Sequence, residues 1–134
     1  IDDVTITCWE LSNLIYLVAL PEIGHLLAAR RVIEIMNTFK YPESKFKLLV
    51  NKVGREGAVS ADEVKAFLKK DITTLPYAPD DAILTSNGGK LLMSEKPSSP
   101  LTNGLLNLSR MIVGEEVITE EGGIFSKLKS MLGF

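Results

Sequence analysis

The stretch Phe46–Gly54 reads FKLLVNKVG, and it decides the fold that we expect for this chain. Its first five residues form a nearly continuous apolar run, which is typical of a strand buried on both faces of a parallel sheet. Asn51 follows this run, and ligands of such sheets bind just beyond the carboxyl ends of the strands. The Asn51 amide offers a donor and an acceptor, which suits the edge of a purine base. Asn before a glycine-containing loop is also common in turns, so a purely backbone role stays open.

Strand-like and helix-like stretches alternate along the chain. The apolar run Leu14–Leu20 and the shorter Asp71–Leu75 each end at a proline, as strands often do. Apolar periodicity and capping signals predict four helices over Pro21–Thr38, Ser60–Leu68, Asp80–Ser86 and Leu101–Val113. The second opens with a capping-box pattern of Ser60 and Glu63, and one apolar stripe of the first contains Ile23, Leu26, Leu27, Ile33 and Met36. This order predicts an α/β fold: a partial, doubly wound parallel sheet of about three strands with flanking helices.

Three other features have structural interpretations. Asp3–Leu11 fits a short helix after an aspartate cap, although its Val, Thr and Ile content would also suit a strand. Cys8, the only cysteine, is expected to be a buried small hydrophobe, and it excludes an intrachain disulfide. His25, the only histidine, is expected to be structural, because Ala28 and Ala29 stand where carboxylate partners would be needed.

The composition narrows the class of protein. A length of 134 residues is ordinary for one domain, and 46% hydrophobic with 24% charged residues indicates a globular chain. The net charge of −2 argues against nucleic acid as a partner, since phosphate-driven binding needs clustered cations. A lone cysteine, no signal peptide and no apolar run near the length of a membrane span favour a cytoplasmic location. Because the sequence begins at Ile1 without an initiator Met, we expect a fragment or a processed product.

Four segments of the chain stand in an order that is typical of one superfamily. They are SNLIYLVALPEIGHLLAARRVIEIM from Ser12, KLLVNKVGREGAVSADEVKAFL from Lys47, LPYAP from Leu75 with SNGGKLL from Ser86, and SPLTNGLLNLSRMIV from Ser99. Together they resemble the second half of a MinD/ParA-type P-loop ATPase, and within that superfamily they are most similar to the CpaE/TadZ proteins of Flp (Tad) pilus assembly. The resemblance implies that residues 1–115 are the C-terminal portion of the ATPase domain, followed by a linker over 116–123 and an amphipathic helix over 124–134.

The resemblance also implies a nucleotide site at the carboxyl ends of the strands, with ATP as its ligand. Asn51 matches the family's strand-end Asn, and Lys52 stands where Arg or Lys usually follows. Pro76 matches the proline of the base-side loop, but Ala78 stands where relatives often have an acid. The candidate residues for the adenine side are therefore Asn51, Lys52, Pro76, Tyr77 and the nearest acid, Asp80.

The phosphate side of the family's site does not occur in this sequence. There is no GxxxxGK[ST] motif, and Asp2 and Asp3 lack the apolar strand that precedes a Walker B acid. Gly88-Gly89-Lys90 follows a helix rather than a strand, so it does not form a phosphate cradle of that kind. The phosphate and magnesium sites would lie upstream of Ile1, and this chain alone is expected not to hydrolyse ATP.

Two functions stay open. The first is a nucleotide-dependent positioning protein of Flp pilus assembly, with this chain carrying the adenine side. The second is a degenerate, non-hydrolysing localisation or scaffold module that acts through protein or membrane contacts. A homo-oligomer is expected because Leu14–Leu20 leaves an apolar strand at the sheet edge, and pilus assembly proteins are further candidate partners. A receiver domain is excluded because neither Asp2 nor Asp3 ends a strand.

The carboxyl-terminal residues form a further candidate site. One continuous apolar stripe of a helix would contain Ile124, Phe125, Leu128, Met131 and Leu132. It resembles the membrane-targeting helix of MinD-type proteins, which would place the protein peripherally on the inner membrane. The same stripe would also serve for packing on a partner or on the protein's own core, so these interpretations stay open.

Overall fold

The computed structural model describes residues 1–114, in which helices flank a parallel sheet. The elements are α1 (Asp3–Leu11), β1 (Ile15–Ala19), α2 (Ile23–Thr38), a 3-10 turn (Glu43–Lys45), β2 (Phe46–Val53), α3 (Ala61–Leu68), β3 (Ile72–Pro76), α4 (Pro79–Asn87), α5 (Leu92–Glu95) and α6 (Pro100–Val113). The strands are parallel and stand in the order β1-β2-β3. The predicted α/β fold with three parallel strands is therefore confirmed. The predicted linker over 116–123 and the tail helix over 124–134 lie outside the described residues.

The central strand β2 is hydrogen-bonded on both sides. Leu48 is in register with Leu17 of β1 and with Ile72 of β3. Val50 is only 1% exposed, as the apolar run predicts for a strand covered on both faces. The strand does not end at Val50, however, but continues to Val53. Asn51 thus lies within the last residues of the strand rather than beyond it.

One face of the sheet packs against α2 and α3. The core cluster on this face consists of Ala19, Leu26, Ala29, Ile33, Leu48, Val50, Val64 and Leu68. The apolar stripe predicted for α2 also included Ile23 and Leu27, which are 71% and 48% exposed. Helical geometry places them roughly 100° and 140° around the helix axis from the centre of the buried stripe. Their inclusion in the core was wrong, because periodicity alone does not show how far a neighbouring helix extends.

The first helix is capped as predicted but is poorly covered. Asp2 caps α1 by accepting a hydrogen bond of 2.8 Å from the backbone N–H of Thr5. No residue of α1 is buried, and Cys8 is exposed. The prediction that Cys8 is a buried hydrophobe was wrong, because no described element covers that side of α1. His25 is also exposed, on α2.

Two helices begin one residue before their predicted starts, and one short helix was not predicted. Pro79 is the first residue of α4, where its missing N–H costs no helical hydrogen bond. Pro100 opens α6 in the same way, after the Ser99 cap. The four-residue α5 (Leu92–Glu95) was not predicted, since a single turn carries no periodicity.

No helix within residues 1–114 has both the length and the apolar character needed to cross a bilayer.

The strand β1 lies at an edge of the sheet. Among the described residues it pairs only with β2, and Val18 on this strand is 56% exposed. An apolar edge strand with open donors and acceptors is a template for pairing with another chain segment. Self-association through this edge stays a prediction.

The predicted capping box of α3 is confirmed and gives a test by pH. Hydrogen bonds from the hydroxyl and the backbone N–H of Ser60 hold the pKa of Glu63 below its ordinary value of 4.5. A lowered pKa in the folded state stabilises the fold above the unfolded-state pKa, and this contribution is lost as the pH falls through the folded-state value. We expect the free energy of unfolding to fall less between about pH 5 and about pH 3 in Glu63→Gln than in the parent chain.

Chemical denaturation at several pH values measures this difference. The matched control is Glu56→Gln, because the Glu56 carboxylate makes no hydrogen bond or ion pair with a residue in the 1–114 range. The control should keep the pH dependence of the parent. Equal pH dependence in the parent and in Glu63→Gln would contradict a role for the capping box in stability.

Candidate functional site

A cavity opens where β2 and β3 end side by side. The backbone N–H of Tyr77 donates a hydrogen bond of 2.8 Å to the carbonyl oxygen of Val53, which joins the two strand ends. The cavity has a volume of about 410 Å³, within the usual range for small-molecule sites. Its lining residues are Asn51, Lys52, Leu75, Pro76, Tyr77, Ala78, Pro79, Ala82, Ile83, Leu101 and Leu105. The structure thus brings four of the five predicted adenine-side residues together.

A bulge in β2 shapes the floor of this cavity. Val50 pairs with Thr74, while Val53 pairs with Pro76, so β2 uses one residue more than β3 over this interval. Lys52 takes up the extra length in the left-handed region, at a φ of 60°. Bulges of this kind redirect side chains and are common beside functional sites. No local sequence pattern indicated the bulge, because Lys rarely adopts positive φ.

The side chain of Asn51 stabilises this bulge. Its Oδ1 accepts a hydrogen bond of 2.8 Å from the backbone N–H of Lys52. Only the oxygen of an amide accepts from an N–H, so this bond fixes which end of the amide is which. The Nδ2 group makes no hydrogen bond with another residue of the described range. Asn51 therefore has the backbone role of a turn residue and still offers two donors at the cavity.

The loop after β3 forms the second wall. Pro76 and Pro79 flank Tyr77 and Ala78, and the fixed φ of the two prolines restricts the loop to few conformations. Tyr77 is 41% exposed and lies at the rim. The fifth predicted residue, Asp80, is exposed in the first turn of α4 and does not line the cavity. Because α4 begins at Pro79, the positions of this helix that line the cavity are Pro79, Ala82 and Ile83.

The helix α6 forms the third wall, and sequence reasoning did not assign it to the site. A Cβ at Gly104 would lie 3.0 Å from Cδ2 of Leu75 and 3.2 Å from Cδ of Pro76. The absence of a side chain at Gly104 therefore allows α6 to approach the end of β3 closely, which brings Leu101 and Leu105 into the cavity wall. A glycine inside a leucine-rich helix is the signal that would have indicated this contact.

The lining of the cavity determines its chemistry. Most of the lining is apolar, with one amide from Asn51 and one ammonium from Lys52. Among the described residues, no carboxylate and no histidine lines the cavity, so this part of the chain supplies neither of the usual acid–base groups there. Within residues 1–114 no cluster of three or more His, Cys, Asp or Glu residues is placed to hold a metal ion. The arrangement suits the binding of a flat apolar group with a polar edge.

Comparison with known sequences gives one curated relative. No family model matches the chain. The septum site-determining protein MinD of Thermotoga maritima is 26% identical to it over 126 residues, which covers 86% of this chain and 46% of MinD. The chain therefore spans about half the length of the curated relative that it matches.

Comparison with solved structures gives proteins of the same fold. The ParA family ATPase from Chlorobium tepidum matches with a TM-score of 0.69 and 18% identity, over 81% of this chain and 45% of that one. The MinC:MinD cell division protein complex of Aquifex aeolicus matches with a TM-score of 0.72 and 19% identity, over 90% of this chain and 50% of that one. Aquifex aeolicus MinD matches with a TM-score of 0.62 and 21% identity, over 78% of this chain and 45% of that one. The chain thus has the fold of about half of a MinD/ParA-type P-loop ATPase.

Proposed function

We propose that this chain is the base-binding part of a nucleotide-dependent positioning protein of the MinD/ParA type, with the adenine of ATP in the cavity at the ends of β2 and β3. The observation that carries the proposal is the Asn51 amide, which is fixed by its own backbone and offers free donors beside an apolar cavity. Similarity to MinD and to a ParA family ATPase supports ATP as the ligand.

The adenine base fits the groups that line the cavity. Adenine presents an acceptor at N7 and a donor at its exocyclic amine, and an Asn amide pairs with both. Nδ2 of Asn51 donates to the base, and Oδ1 keeps a second lone pair after accepting from Lys52. Leu101 and Leu105 on α6 and Pro76 at the end of β3 supply apolar surface for the ring.

This chain offers few groups that could bind the phosphates of ATP. Lys52 brings one positive charge to the cavity, and residues 1–134 contain no P-loop motif. Phosphoryl transfer depends on positioning and charge stabilisation at the phosphates, so the chain alone binds nucleotide without hydrolysing it. Turnover would require residues that this sequence does not contain.

One observation favours the alternative of a non-hydrolysing scaffold module. Asp80, the acid nearest to the base-side loop in sequence, lies outside the cavity lining, and Ala78 inside the lining has no polar side chain. The polar uncharged side chains left to hold the base would then be those of Asn51 and Tyr77. In this alternative the fold serves contacts with a protein or a membrane rather than turnover.

The finer assignments rest on sequence and stay proposals. The CpaE/TadZ branch, and with it a role in Flp pilus assembly, is supported by the four resembling segments. Assembly with further subunits is supported by the open edge of β1, and a MinD of Aquifex aeolicus assembles with MinC in the matched complex. Membrane attachment is supported by the apolar stripe over 124–134, and the cytoplasmic location by composition.

The first prediction separates the two roles of Asn51. In Asn51→Asp the oxygen that accepts from Lys52 N–H is kept, while both amide donors are lost. We expect adenosine, which carries no charge, to bind about tenfold more weakly to Asn51→Asp than to the parent chain, because one hydrogen bond to the base is removed. Titration calorimetry measures the affinity, and circular dichroism measures retention of the fold.

Asn37→Asp is the matched control, because Asn37 is exposed on α2 and does not line the cavity. It should bind adenosine like the parent chain. Unchanged adenosine affinity in Asn51→Asp would show that Asn51 serves only the backbone turn, and it would contradict the proposed base contact.

The next prediction concerns the close approach of α6 to the end of β3. Gly104→Ala should weaken adenosine binding, because the new Cβ pushes α6 away from Leu75 and Pro76 and displaces the Leu101 wall. Gly24→Ala on α2 is the control, since a Cβ there meets nothing within 4 Å. It should raise the free energy of unfolding by about 1 kcal/mol, the usual gain of Ala over Gly in a helix.

Gly104→Ala should show no such gain, because overpacking offsets it. Thermal melts and adenosine titrations of the two variants measure both quantities. Equal stabilisation of the two variants with unchanged adenosine affinity would show that α6 does not form a wall of the site.

A further inference from the structure

A second concave surface lies between α2 and α3, away from the cavity just described. Its first part has a volume of about 280 Å³ and an almost wholly apolar lining. The residues that line it are Ile23, Leu26, Val59, Glu63 and Phe67. Leu26 is buried and forms the floor, while Ile23 and Phe67 are 71% and 37% exposed on the sides. We call this surface, with its continuation described next, the α2–α3 groove.

The groove continues past Phe67 into a polar part. This part has a volume of about 220 Å³, and it is lined by Arg30, Ile33, Glu34, Asn37, Phe67, Leu68, Lys69 and Lys70. Phe67 lines both parts, so the two adjoin at this side chain. The guanidinium carbon of Arg30 lies 5.5 Å from the centroid of the Phe67 ring, a cation–π contact at the boundary.

The charges of the groove are unevenly distributed. Glu34 pairs with Arg30 at 3.4 Å, and Lys70 pairs with Glu43 from the turn before β2. Lys69, at the carboxyl end of α3, forms no ion pair with a described residue. The polar part thus carries three cations against one acid, although the whole chain has a net charge of −2. In the apolar part the only charge is that of Glu63, which bonds to Ser60 in the capping box.

We propose that the α2–α3 groove binds one amphipathic helix of a partner protein, with acidic residues flanking its apolar stripe. Apolar side chains at i and i+4 of that helix would cover Ile23 and Phe67, as anchors do when a helix lies in a groove. Its acidic residues would meet Lys69 and Arg30 at the polar end. Exposed anchors beside a cationic end give both the affinity and the direction of such a helix.

An anionic membrane fits this surface less well. Glu34 and Glu63 line the same groove and would face the lipid headgroups. The apolar part is small, with a volume of about 280 Å³ and a single buried floor residue, rather than a broad face. The groove is therefore shaped for inserted side chains of a protein.

Selection from a peptide library tests this inference on the 134-residue chain. Displayed helical peptides of about 20 residues, with all outward positions randomised, would be selected against the immobilised protein. We expect enriched peptides to combine an apolar i, i+4 stripe with Asp or Glu near one end. In two-dimensional NMR the amides of Ile23, Val59, Phe67 and Lys69 should shift on titration with the synthesised peptide.

Variants then test the groove itself. Phe67→Ser and Lys69→Glu should each weaken binding of the selected peptide by about tenfold or more. A peptide with Lys in place of its acids should bind Lys69→Glu better than the parent chain. Leu84→Ser is the control, because Leu84 is 59% exposed on α4 and lines neither part of the groove. Circular dichroism of each variant shows whether its fold is retained.

Several outcomes would overturn the inference. They are the enrichment of no peptide, the enrichment of basic or uncharged peptides, and amide shifts on a different surface. A further one is sedimentation that shows the groove buried between two copies of this chain, with Phe67→Ser restoring the monomer. A loss of peptide binding in Leu84→Ser equal to that in Phe67→Ser would also overturn it.

Discussion

The parallel pairing of β2 with both of its neighbours is the constraint on which the rest of the structure depends. Residues far apart in sequence meet because parallel strands end at the same edge, so Asn51 lies beside Pro76 and Tyr77. Val50 of β2 is buried in the core that the sheet forms with α2 and α3. The bulge after Val50 then turns the strand end, and the Asn51–Lys52 hydrogen bond stabilises that turn. Without this pairing the four predicted residues would not share a cavity.

The sequence predicted those parts of the fold that depend on local patterns. The apolar run of β2, the Ser60 capping box and the alternation of strands with helices each have a local physical cause. The rest depends on contacts between distant elements. Burial of Ile23 and Leu27 was wrong because the extent of α3 along α2 is not encoded in α2. Asp80 does not line the cavity, and its distance in sequence from Pro76 could not indicate this because it says nothing of the direction of α4.

The walls of the site show the same division. Asn51, Lys52, Pro76 and Tyr77 were found from strand ends and from resemblance, since the site edge of a parallel sheet is predictable. Leu101 and Leu105 were missed, because they enter the cavity only through the close approach that Gly104 permits. One wall of the cavity thus depends on Gly104, and the role of this glycine becomes visible only in the packed structure. The edge strand β1 and the half-length match to MinD agree with a chain that carries part of a larger fold.

The central claim is that this chain binds the base of a nucleotide and not its phosphates. Titration of the 134-residue chain with adenosine and with ATP, under the same conditions of magnesium and salt, tests it most directly. Because Lys52 is the one cationic side chain of residues 1–114 that lines the cavity, we expect dissociation constants within about tenfold of each other for the two ligands. A preference for ATP over adenosine of about a thousandfold would contradict the account, since it would require a phosphate site within this chain.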